Sequence, residues 1–410
     1  MKEQYEKQQE EQDEQHELVE DKNLLAELKG LVKRMTQIGA PTGQEQKRAA
    51  YVLQYLQQAG AHPVQDEAGN ILVEISWKAS VIDQTDGIGK KTKDTTLVVA
   101  HLDTVFQDLN PEVSETKEIL KAPGVGDDTA NVAILMYYIK NVIRTKRKFS
   151  DRVLFAFDVG EEGLGNLKGI RQIVHDHGDR IRQVIGLDLT YRSVCCKAVG
   201  SKRYRVHITT CGGHSFNAFG NTNAIERAAA IVTKIYNIDT AQAKNKMGNP
   251  CKVTYNVGMI NGGTSVNAIA QECDLMVEVR ADDSFAMEQM DHHLQEIFRK
   301  AGEYEQTTIT WELIGDRPSM GAVDIEHQKA LTELAAQIIF DETGIDAIRK
   351  SGSTDCNIPL SMGIPAVCTG GYEGEGTHTR EEWIRISSLT HGYHIFSRLI
   401  ESVSAYRSKE

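Results

Sequence analysis

The chain has 410 residues, of which 40% are hydrophobic and 25% are charged, and its formal net charge at pH 7 is −12. This composition is ordinary for a globular protein, and a chain of this length more often forms two or more domains than one. The acidic balance argues against a nucleic-acid-binding protein, which needs a basic surface, and against docking on anionic lipid. We expect no membrane span, because no apolar run approaches the ~20 residues that a helix needs to cross a bilayer.

The amino-terminal segment 1–23 is predicted to be an acidic leader outside the folded part. Residues 1–22 contain nine acidic residues and three Lys, so half of the net charge lies there. This composition is typical of a solvated, frayed helix or a disordered tail, with a partner-binding tail as the alternative. The first fifteen residues lack an apolar segment, which argues against a secretory signal. The seven Cys show no CxxC spacing, as suits reduced thiols, so we expect a cytoplasmic protein.

Hydrophobic periodicity predicts alternating helices and strands from Leu24 to about residue 200. The predicted elements are helices Leu24–Met35 and Gln44–Ala59, strands Asn70–Ile75 and Thr96–Ala100, helix Asn131–Ile143, strand Arg152–Phe157, helix Leu167–His177 and strand Gln183–Leu187. The polar stretch Lys78–Thr95 is predicted to be a loop or a long hairpin. Strands that alternate with helices indicate a three-layer α/β domain, with helices on both faces of a sheet.

The pattern changes near residue 200. The predicted elements there are strand Arg203–Thr210, helix Thr222–Tyr236, strands Val253–Ile260 and Ala270–Ala281, helix Ser284–Ala301 and strand Gln306–Ile314. This β-α-β-β-α-β order predicts a ferredoxin-like α+β domain over 201–316. The α/β pattern then returns with helix Glu326–Glu342, strand Ala366–Cys368 and helix Ser387–Tyr406. We therefore predict a main α/β domain formed by 24–200 and 317–410, into which the second domain is inserted.

Polar side chains follow the buried strands of the main domain. His101 and Asp103 end the strand in TLVVAHLDTV, and at positions i and i+2 their side chains point the same way. A carboxylate beside a His can hold one ring nitrogen and orient the other toward a metal ion. A His–Asp pair that serves only to satisfy polar groups at a strand end is the alternative.

Two pairs of adjacent acids extend this pattern. Glu161 and Glu162 follow the strand Arg152–Phe157, between two Gly. Adjacent like charges are unfavourable unless a cation or a shared proton relieves them, although a solvated turn is the alternative. Asp127 and Asp128 lie where a Gly-containing loop enters a helix, and an Asp at the N-cap is the alternative there. Neither a Walker motif nor the three-Gly dinucleotide motif is present, which argues against a phosphate-binding loop.

Asp188 ends the next strand, and His378 lies in a Gly-rich loop near the carboxyl terminus. Ligands bind open α/β sheets beyond the carboxyl ends of the strands, which is where these acids and His101 fall. His, Asp and Glu without Cys suit zinc, with Mn²⁺ or Co²⁺ as substitutes. Five candidate ligands exceed what one tetrahedral zinc takes, so we predict a site for two metal ions.

A set of motifs points to a known family. HLDTV, GDD, GEEGLG, GLD, GGHSF, SVNAIA, VEVR, GSTDCNIPLSMGIPAV and GTH occur in this order. Over residues 24–405 the chain resembles the M20 family of co-catalytic zinc peptidases and deacylases, such as peptidase T, glutamate carboxypeptidase and acetylornithine deacetylase. The resemblance implies a di-zinc hydrolase of amide bonds, whose inserted domain serves as a lid and as the dimerisation surface. An exopeptidase acting on small peptides is favoured, a deacylase of N-acyl amino acids is the alternative, and a non-catalytic scaffold is less favoured.

The resemblance also implies a role for each site residue. His101 and Asp188 would bind one zinc with Asp103 orienting His101, Asp127 would bridge both ions, Glu162 and His378 would bind the second, and Glu161 would be the general base. A cis peptide bond is expected between Asp127 and Asp128.

The inserted domain would contribute three further residues. His214 would support the oxyanion, often in the active site of the neighbouring subunit of a homodimer, and Asn267 and Arg280 would bind the substrate. The chain departs from the family at Thr129 and Asn131, where many members have Lys and Gly.

Overall fold

The structure is a computed structural model that describes residues 21–76 and 93–405. Up to residue 198 its elements are a helix α1 over 21–36, α2 (Gln46–Gln58), β1 (Val64–Gln65), β2 (Ile71–Ile75), β3 (Thr95–His101), β4 (Ser114–Glu115), β5 (Ile119–Lys121), α3 (Thr129–Thr145), β6 (Arg152–Asp158), α4 (Lys168–His177), β7 (Ile181–Gly186) and β8 (Ser193–Ala198). The middle segment contains β9 (Gly200–Thr210), β10 (Gly213–His214), α5 (Ala224–Tyr236), β11 (Val253–Gly262), β12 (Ala268–Ile269), β13 (Glu272–Ala281), α6 (Ser284–Ala301) and β14 (Thr307–Arg317). The remaining elements are α7 (Ile325–Thr343), β15 (Ile348–Gly352), α8 (Asn357–Ser361), β16 (Ala366–Cys368), β17 (Gly374–Glu375), β18 (Trp383–Arg385) and α9 (Ser388–Ala405). Among the helices of these described ranges, none has the length and apolar character needed to cross a membrane.

An eight-stranded mixed sheet organises the larger part of the chain, with the strand order β1-β2-β6-β3-β7-β16-β8-β15. β3 is buried along its whole length, as its continuous apolar run predicts for a parallel strand covered on both faces. Its side chains alternate between two cores: Val98 and Ala100 join the core that contains α3 and α9, whereas Leu97 and Val99 join the core that contains α4 and α8. The predicted three-layer α/β architecture is therefore confirmed.

Four strands of this sheet end at the same edge. β3 runs parallel to β6 and to β7, and β16 runs parallel to β7. His101, the last residue of β3, lies opposite Asp158, the last residue of β6. The loops that follow these strands are therefore neighbours, whatever their separation in the sequence.

A second sheet of four antiparallel strands lies between β8 and α7 in the sequence, in the order β11-β13-β9-β14. It shares a hydrophobic core with α5 and α6, to which Val206, Leu275, Ile231 and Leu294 contribute. The sequence of elements β9-α5-β11-β13-α6-β14 is the predicted ferredoxin-like order. The fold class is thus as expected, while the use of 201–316 as a lid or a dimer surface stays a prediction.

Some elements differ from the sequence prediction. β8 and β15 pair in parallel near one end of the large sheet, but their sequences are short and partly polar and did not predict strands. The helix expected over Asn131–Ile143 begins at Thr129, and α1 already includes residues 21–23. Thr95 belongs to β3, while most of the predicted loop Lys78–Thr95 lies outside the described residues, as do residues 1–20 and Tyr406.

Candidate metal centre

Asp103 joins the loops that follow β3 and β6. Its Oδ1 accepts a hydrogen bond from the backbone N–H of Glu161 (3.0 Å), and its Oδ2 accepts from the N–H of Glu162 (2.9 Å) and the hydroxyl of Thr42 (2.9 Å). Nδ1 of His101 lies 3.0 Å from the carbonyl oxygen of Asp103 and 3.6 Å from its Oδ1. One buried residue therefore fixes both the adjacent acids and the ring of His101.

The carboxylate of Asp127 lies at the centre of the site. Its Oδ1 is 3.1 Å from Nε2 of His101, and its Oδ2 is 3.1 Å from Nε2 of His378. The same nitrogen of His378 lies 2.9 Å from Oε1 of Glu162. His378 comes from the loop between β17 and β18, and β18 pairs with β5, which precedes Asp127 in the chain. One carboxylate thus separates two imidazole rings, and the peptide bond between Asp127 and Asp128 is cis, as the resemblance implies.

Three groups of side chains place potential donor atoms within 4.8 Å of one another. They are His101 with Asp128 and Asp188, His101 with Glu161 and Glu162, and Asp127 with Glu162 and His378. Among the described residues, buried Oδ1 of Asp127 has no partner with hydrogen-bond geometry, and a metal ion would satisfy it. Imidazole and carboxylate donors without thiolates suit Zn²⁺, Mn²⁺ or Co²⁺. The residues therefore fit a pair of divalent ions.

Negative charge is crowded in this site. Burial raises the pKa of Glu161 to about 8; Arg317 opposes the shift, whereas the neighbouring carboxylate of Glu162 adds to it. Burial and the nearby Asp127 raise the pKa of Asp188 to about 7. Carboxylates in such an environment hold protons to a higher pH unless a cation relieves their repulsion.

The pKa values of the two His rings are also raised, because negative charge around them favours the protonated imidazole. Contacts with Asp127 and Glu162 raise the pKa of His378 to about 11. Burial acts to lower the pKa of His101, but the surrounding Asp side chains outweigh it and hold that pKa well above its usual value. Burial likewise acts to raise the pKa of Asp127, but the two imidazoles outweigh it and the pKa is lowered. A proton on each ring supplies positive charge that a metal ion would replace.

Glu382 is a residue of the site that sequence reasoning missed. This buried carboxylate accepts hydrogen bonds from the N–H groups of Gly124 (2.8 Å), Gly126 (2.9 Å) and Asp127 (2.8 Å). It therefore fixes the backbone that presents the central carboxylate. Its sequence neighbour Glu381 has a side chain that is 76% exposed, and no local pattern distinguishes these two acids.

Arg317 is a second residue that sequence reasoning missed. Nη1 donates to Oε1 of Glu161 at 2.9 Å and to the hydroxyl of Ser353 at 3.1 Å, and Nη2 donates to the carbonyl oxygen of Glu161. The side chains of Arg317 and Glu161 are only 6% and 5% exposed. Arg317 ends β14 in the middle segment, so its sequence position pointed to a domain boundary and not to the site.

Asp128 occupies the N-cap position of α3, but its side chain makes no capping hydrogen bond. Its Oδ2 accepts from the N–H of His101 (3.0 Å), and its Oδ1 accepts from Nδ2 of Asn131 (2.6 Å). Asn131 also donates to the carbonyl of Leu189 (3.3 Å) and accepts from the N–H of Gly371 (2.7 Å). Asn131, one of the two positions that depart from the family the chain resembles, therefore ties three segments of the site together.

In the described part of the chain, the three candidate residues of the middle segment make no hydrogen bond with this cluster. The short strand that ends at His214 pairs with β12, and the N–H of Ser215 donates to the carbonyl of Asn267 (3.0 Å). Arg280 makes two hydrogen bonds of 3.0 Å with Glu278. Within the described residues, the hydrogen bonds of His214, Asn267 and Arg280 all stay inside the middle segment.

Comparisons with known proteins agree with this architecture. The model of peptidase family M20/M25/M40 matches residues 97–402. The succinyl-diaminopimelate desuccinylase of Corynebacterium glutamicum is 22% identical over 367 residues, which cover 88% of this chain and 92% of that protein.

Two solved structures show the same fold. A tripeptidase from Staphylococcus aureus has a TM-score of 0.72 and 20% identity, covering 93% of this chain and 98% of that chain. A dinuclear metal-binding peptidase of the M20 family from Bacillus subtilis has a TM-score of 0.63 and 16% identity, covering 93% of this chain and 99% of that chain. The expected family is confirmed: the chain belongs to peptidase family M20/M25/M40 and is a metal-dependent hydrolase of amide bonds.

Proposed function

We propose that the protein is a two-metal exopeptidase that hydrolyses small peptides. The observation that carries the proposal is the single carboxylate of Asp127, which lies 3.1 Å from an imidazole nitrogen on either side, with Glu161 close by. The similar fold of a tripeptidase favours peptides as substrates. A deacylase of N-acyl amino acids is the second candidate, favoured by the 22% identity with a desuccinylase.

The site residues divide into two sets that share one bridge. His101, Asp127 and Asp188 would hold one ion, and Asp127, Glu162 and His378 would hold the other. The donor atoms of the second set lie within 4.8 Å of one another, and in the first set His101 lies within that distance of Asp188 and 3.1 Å from Asp127. The resemblance to a dinuclear peptidase also supports this division. We propose zinc in both positions, with Mn²⁺ or Co²⁺ as functional substitutes. Two such ions, when bound, lower the pKa of a water and polarise the carbonyl of the scissile amide.

Glu161 performs the proton transfers. Burial raises the pKa of its carboxyl to about 8, which makes its carboxylate a stronger base than that of an ordinary Glu. It takes a proton from the attacking water and returns that proton to the leaving nitrogen. Asp103 keeps the base in place, because its carboxylate binds the backbone N–H of Glu161 at 3.0 Å.

The middle segment supplies the contacts to the substrate. Closure of 201–316 over the strand ends would bring His214 to the oxyanion, and Asn267 and Arg280 to the rest of the substrate. Arg280 would exchange its two hydrogen bonds with Glu278 for a bidentate pair with a substrate carboxylate. Its partly exposed side chain can make this exchange without opening a core.

We further propose a homodimer formed through 201–316, in which His214 completes the site of the partner subunit. Phe216 and Phe219, next to His214, are 84% and 90% exposed, as expected for side chains that a second copy covers. A mixture of the Glu161→Gln and His214→Ala variants tests this directly. If His214 acts in the partner's site, each mixed dimer contains one intact site and activity returns, whereas action within one subunit leaves the mixture inactive.

The protein is proposed to work in the cytoplasm, because all seven Cys are free thiols.

A panel of dipeptides, tripeptides and N-acyl amino acids, assayed with added Zn²⁺, Mn²⁺ and Co²⁺, tests the proposed reaction. Peptides should be hydrolysed faster than N-acyl amino acids; the reverse ranking favours the deacylase. Glu161→Gln should lower turnover by ~10²–10⁴-fold, the usual contribution of a general base, while two metal ions remain bound. Full activity of that variant would refute the assigned base. A wild-type chain that cannot be loaded with metal would favour a scaffold over an enzyme.

A further inference from the structure

The loop that carries the proposed base is held by the middle segment. The side chain of Arg203, on β9, donates to the carbonyl of Gly163. The N–H of Asp316, on β14, donates to Oδ1 of Asn166 at 2.9 Å. Together with the contacts of Arg317 to Glu161, these bonds fix 161–166 in addition to the hydrogen bonds from Asp103.

Arg317 makes the most direct of these contacts. Its guanidinium binds both the carbonyl oxygen and Oε1 of Glu161, so it fixes the backbone and the end of the side chain together. A free Glu side chain samples many rotamers, and a planar, two-nitrogen donor group selects one of them. Because Oε1 is occupied by Nη1, the second oxygen, Oε2, is left to take the proton.

The position of Arg317 in the topology links this contact to motion of the lid. Arg317 pairs with Ser201 in the sheet, so the chain enters and leaves the middle segment at adjacent residues. Arg317 therefore lies at this double connection, and a rotation of 201–316 would reorient the end of β14 from which its guanidinium reaches Glu161. The ion pair is buried, and a residue change that removes one partner leaves a buried charge unpaired.

We propose that Arg317 is a positioning residue that aligns Glu161 for proton transfer and makes this alignment depend on the orientation of the middle segment. The proposal rests on the function proposed above. In this proposal Arg317 acts through Glu161, to which its guanidinium is bonded, so its loss should lower kcat and leave KM nearly unchanged.

Three variants test this role. Arg317→Met removes the charge and keeps a long side chain, and Arg317→Lys keeps a charge that can reach one of the two acceptors on Glu161. Arg205→Met is the matched control, since Arg205 lies two residues from Arg203 on β9 and its ion-pair partner Glu312 is in the same sheet.

We expect Arg317→Met to lower kcat by ~10²-fold, the loss typical of a misplaced catalytic group, with KM within about threefold of wild type and two metal ions bound. Arg317→Lys should recover about tenfold of that loss, and Arg205→Met should match wild type. Unchanged kcat in Arg317→Met, equal kcat in the Met and Lys variants, or a loss of bound metal would overturn the proposal.

Amide hydrogen exchange tests the positioning role of Arg317 independently of any catalytic activity. The amides of 161–166 should exchange faster in Arg317→Met than in wild type or in Arg205→Met. If wild type hydrolyses none of the substrates, the proposed function fails, and exchange in 161–166 then decides whether Arg317 holds this loop. Unchanged exchange in Arg317→Met would overturn its positioning role.

Discussion

Substitutions of Glu382 perturb, in two steps of increasing size, the backbone that presents the carboxylate of Asp127. Its Oε1 accepts from the N–H groups of Gly126 and Asp127, and its Oε2 accepts from the N–H of Gly124. Glu382→Gln keeps the oxygen that faces Gly126 and Asp127, but its amide N–H₂ then faces the N–H of Gly124. Glu382→Ala leaves all three donors without their partner.

The expected losses of stability follow from these contacts. A buried donor left unpaired costs ~1–3 kcal/mol, so Glu382→Gln should lower the free energy of unfolding by about that amount. In Glu382→Ala three donors lose their partner, which gives a nominal destabilisation of ~3–9 kcal/mol. Water that enters the space left by the side chain reduces this cost, and single substitutions rarely exceed ~4–5 kcal/mol. We therefore expect Glu382→Ala to cost about 3–5 kcal/mol.

Urea unfolding of the chelator-treated protein measures these differences at pH 8, above the pKa of about 7 to which burial raises the Glu382 carboxyl. Metal affinity, measured by competition with a chelator, should also fall by ~10–100-fold, as is typical when a residue that orients a ligand is lost. The matched control is Glu381→Gln, on the exposed neighbour, which should stay within ~0.5 kcal/mol of wild type. Equal losses for the Gln and Ala variants, or wild-type stability of the Ala variant, would refute the reasoning.

Two further predictions concern metal binding and pH. The folded-state pKa values of Glu161 and Asp188 are raised to about 8 and about 7, so the folded metal-free chain binds more protons than the unfolded chain above pH 4.5. Its free energy of unfolding should therefore fall as the pH rises from about 5 to 8, and the raised pKa of His378 acts in the same direction above pH 6.5. A greater free energy of unfolding at pH 8 than at pH 5.5, measured in the presence of a chelator, would contradict this prediction. His378→Ala removes a ligand from one ion only, so metal analysis should find one ion per chain in place of two; two tightly bound ions in this variant would disprove that assignment.

Much of the fold could be predicted because its main elements carry their own pattern. The buried run in β3 and the helical periodicity of α5 and α6 reflect local geometry, which the sequence displays directly. β8 and β15 have no such signal, since each is short and partly polar. They are strands because they pair with each other, although more than 150 residues separate them in the chain.

The residues of the site also divide into those that a local sequence pattern reveals and those whose position depends on the tertiary structure. His101, Glu161 and Asp188 follow strands that the sequence reveals, and parallel strands end at one edge of a sheet, so their convergence could be foreseen. His214, Asn267 and Arg280 were expected near the substrate, but their hydrogen bonds lie within the middle segment, so their roles stay proposals.

The sequence by itself determined the family and the fold class and predicted which residues could bind metal, because these depend on periodicity and on motifs of a few residues. Only the tertiary structure decided which polar side chains support the site. Glu382 and Arg317 act on Asp127 and Glu161 across more than 150 residues of chain, and their sequence surroundings resemble those of surface residues. Their importance comes from burial and from the backbone groups that they pair with, and both exist only once the sheets have assembled.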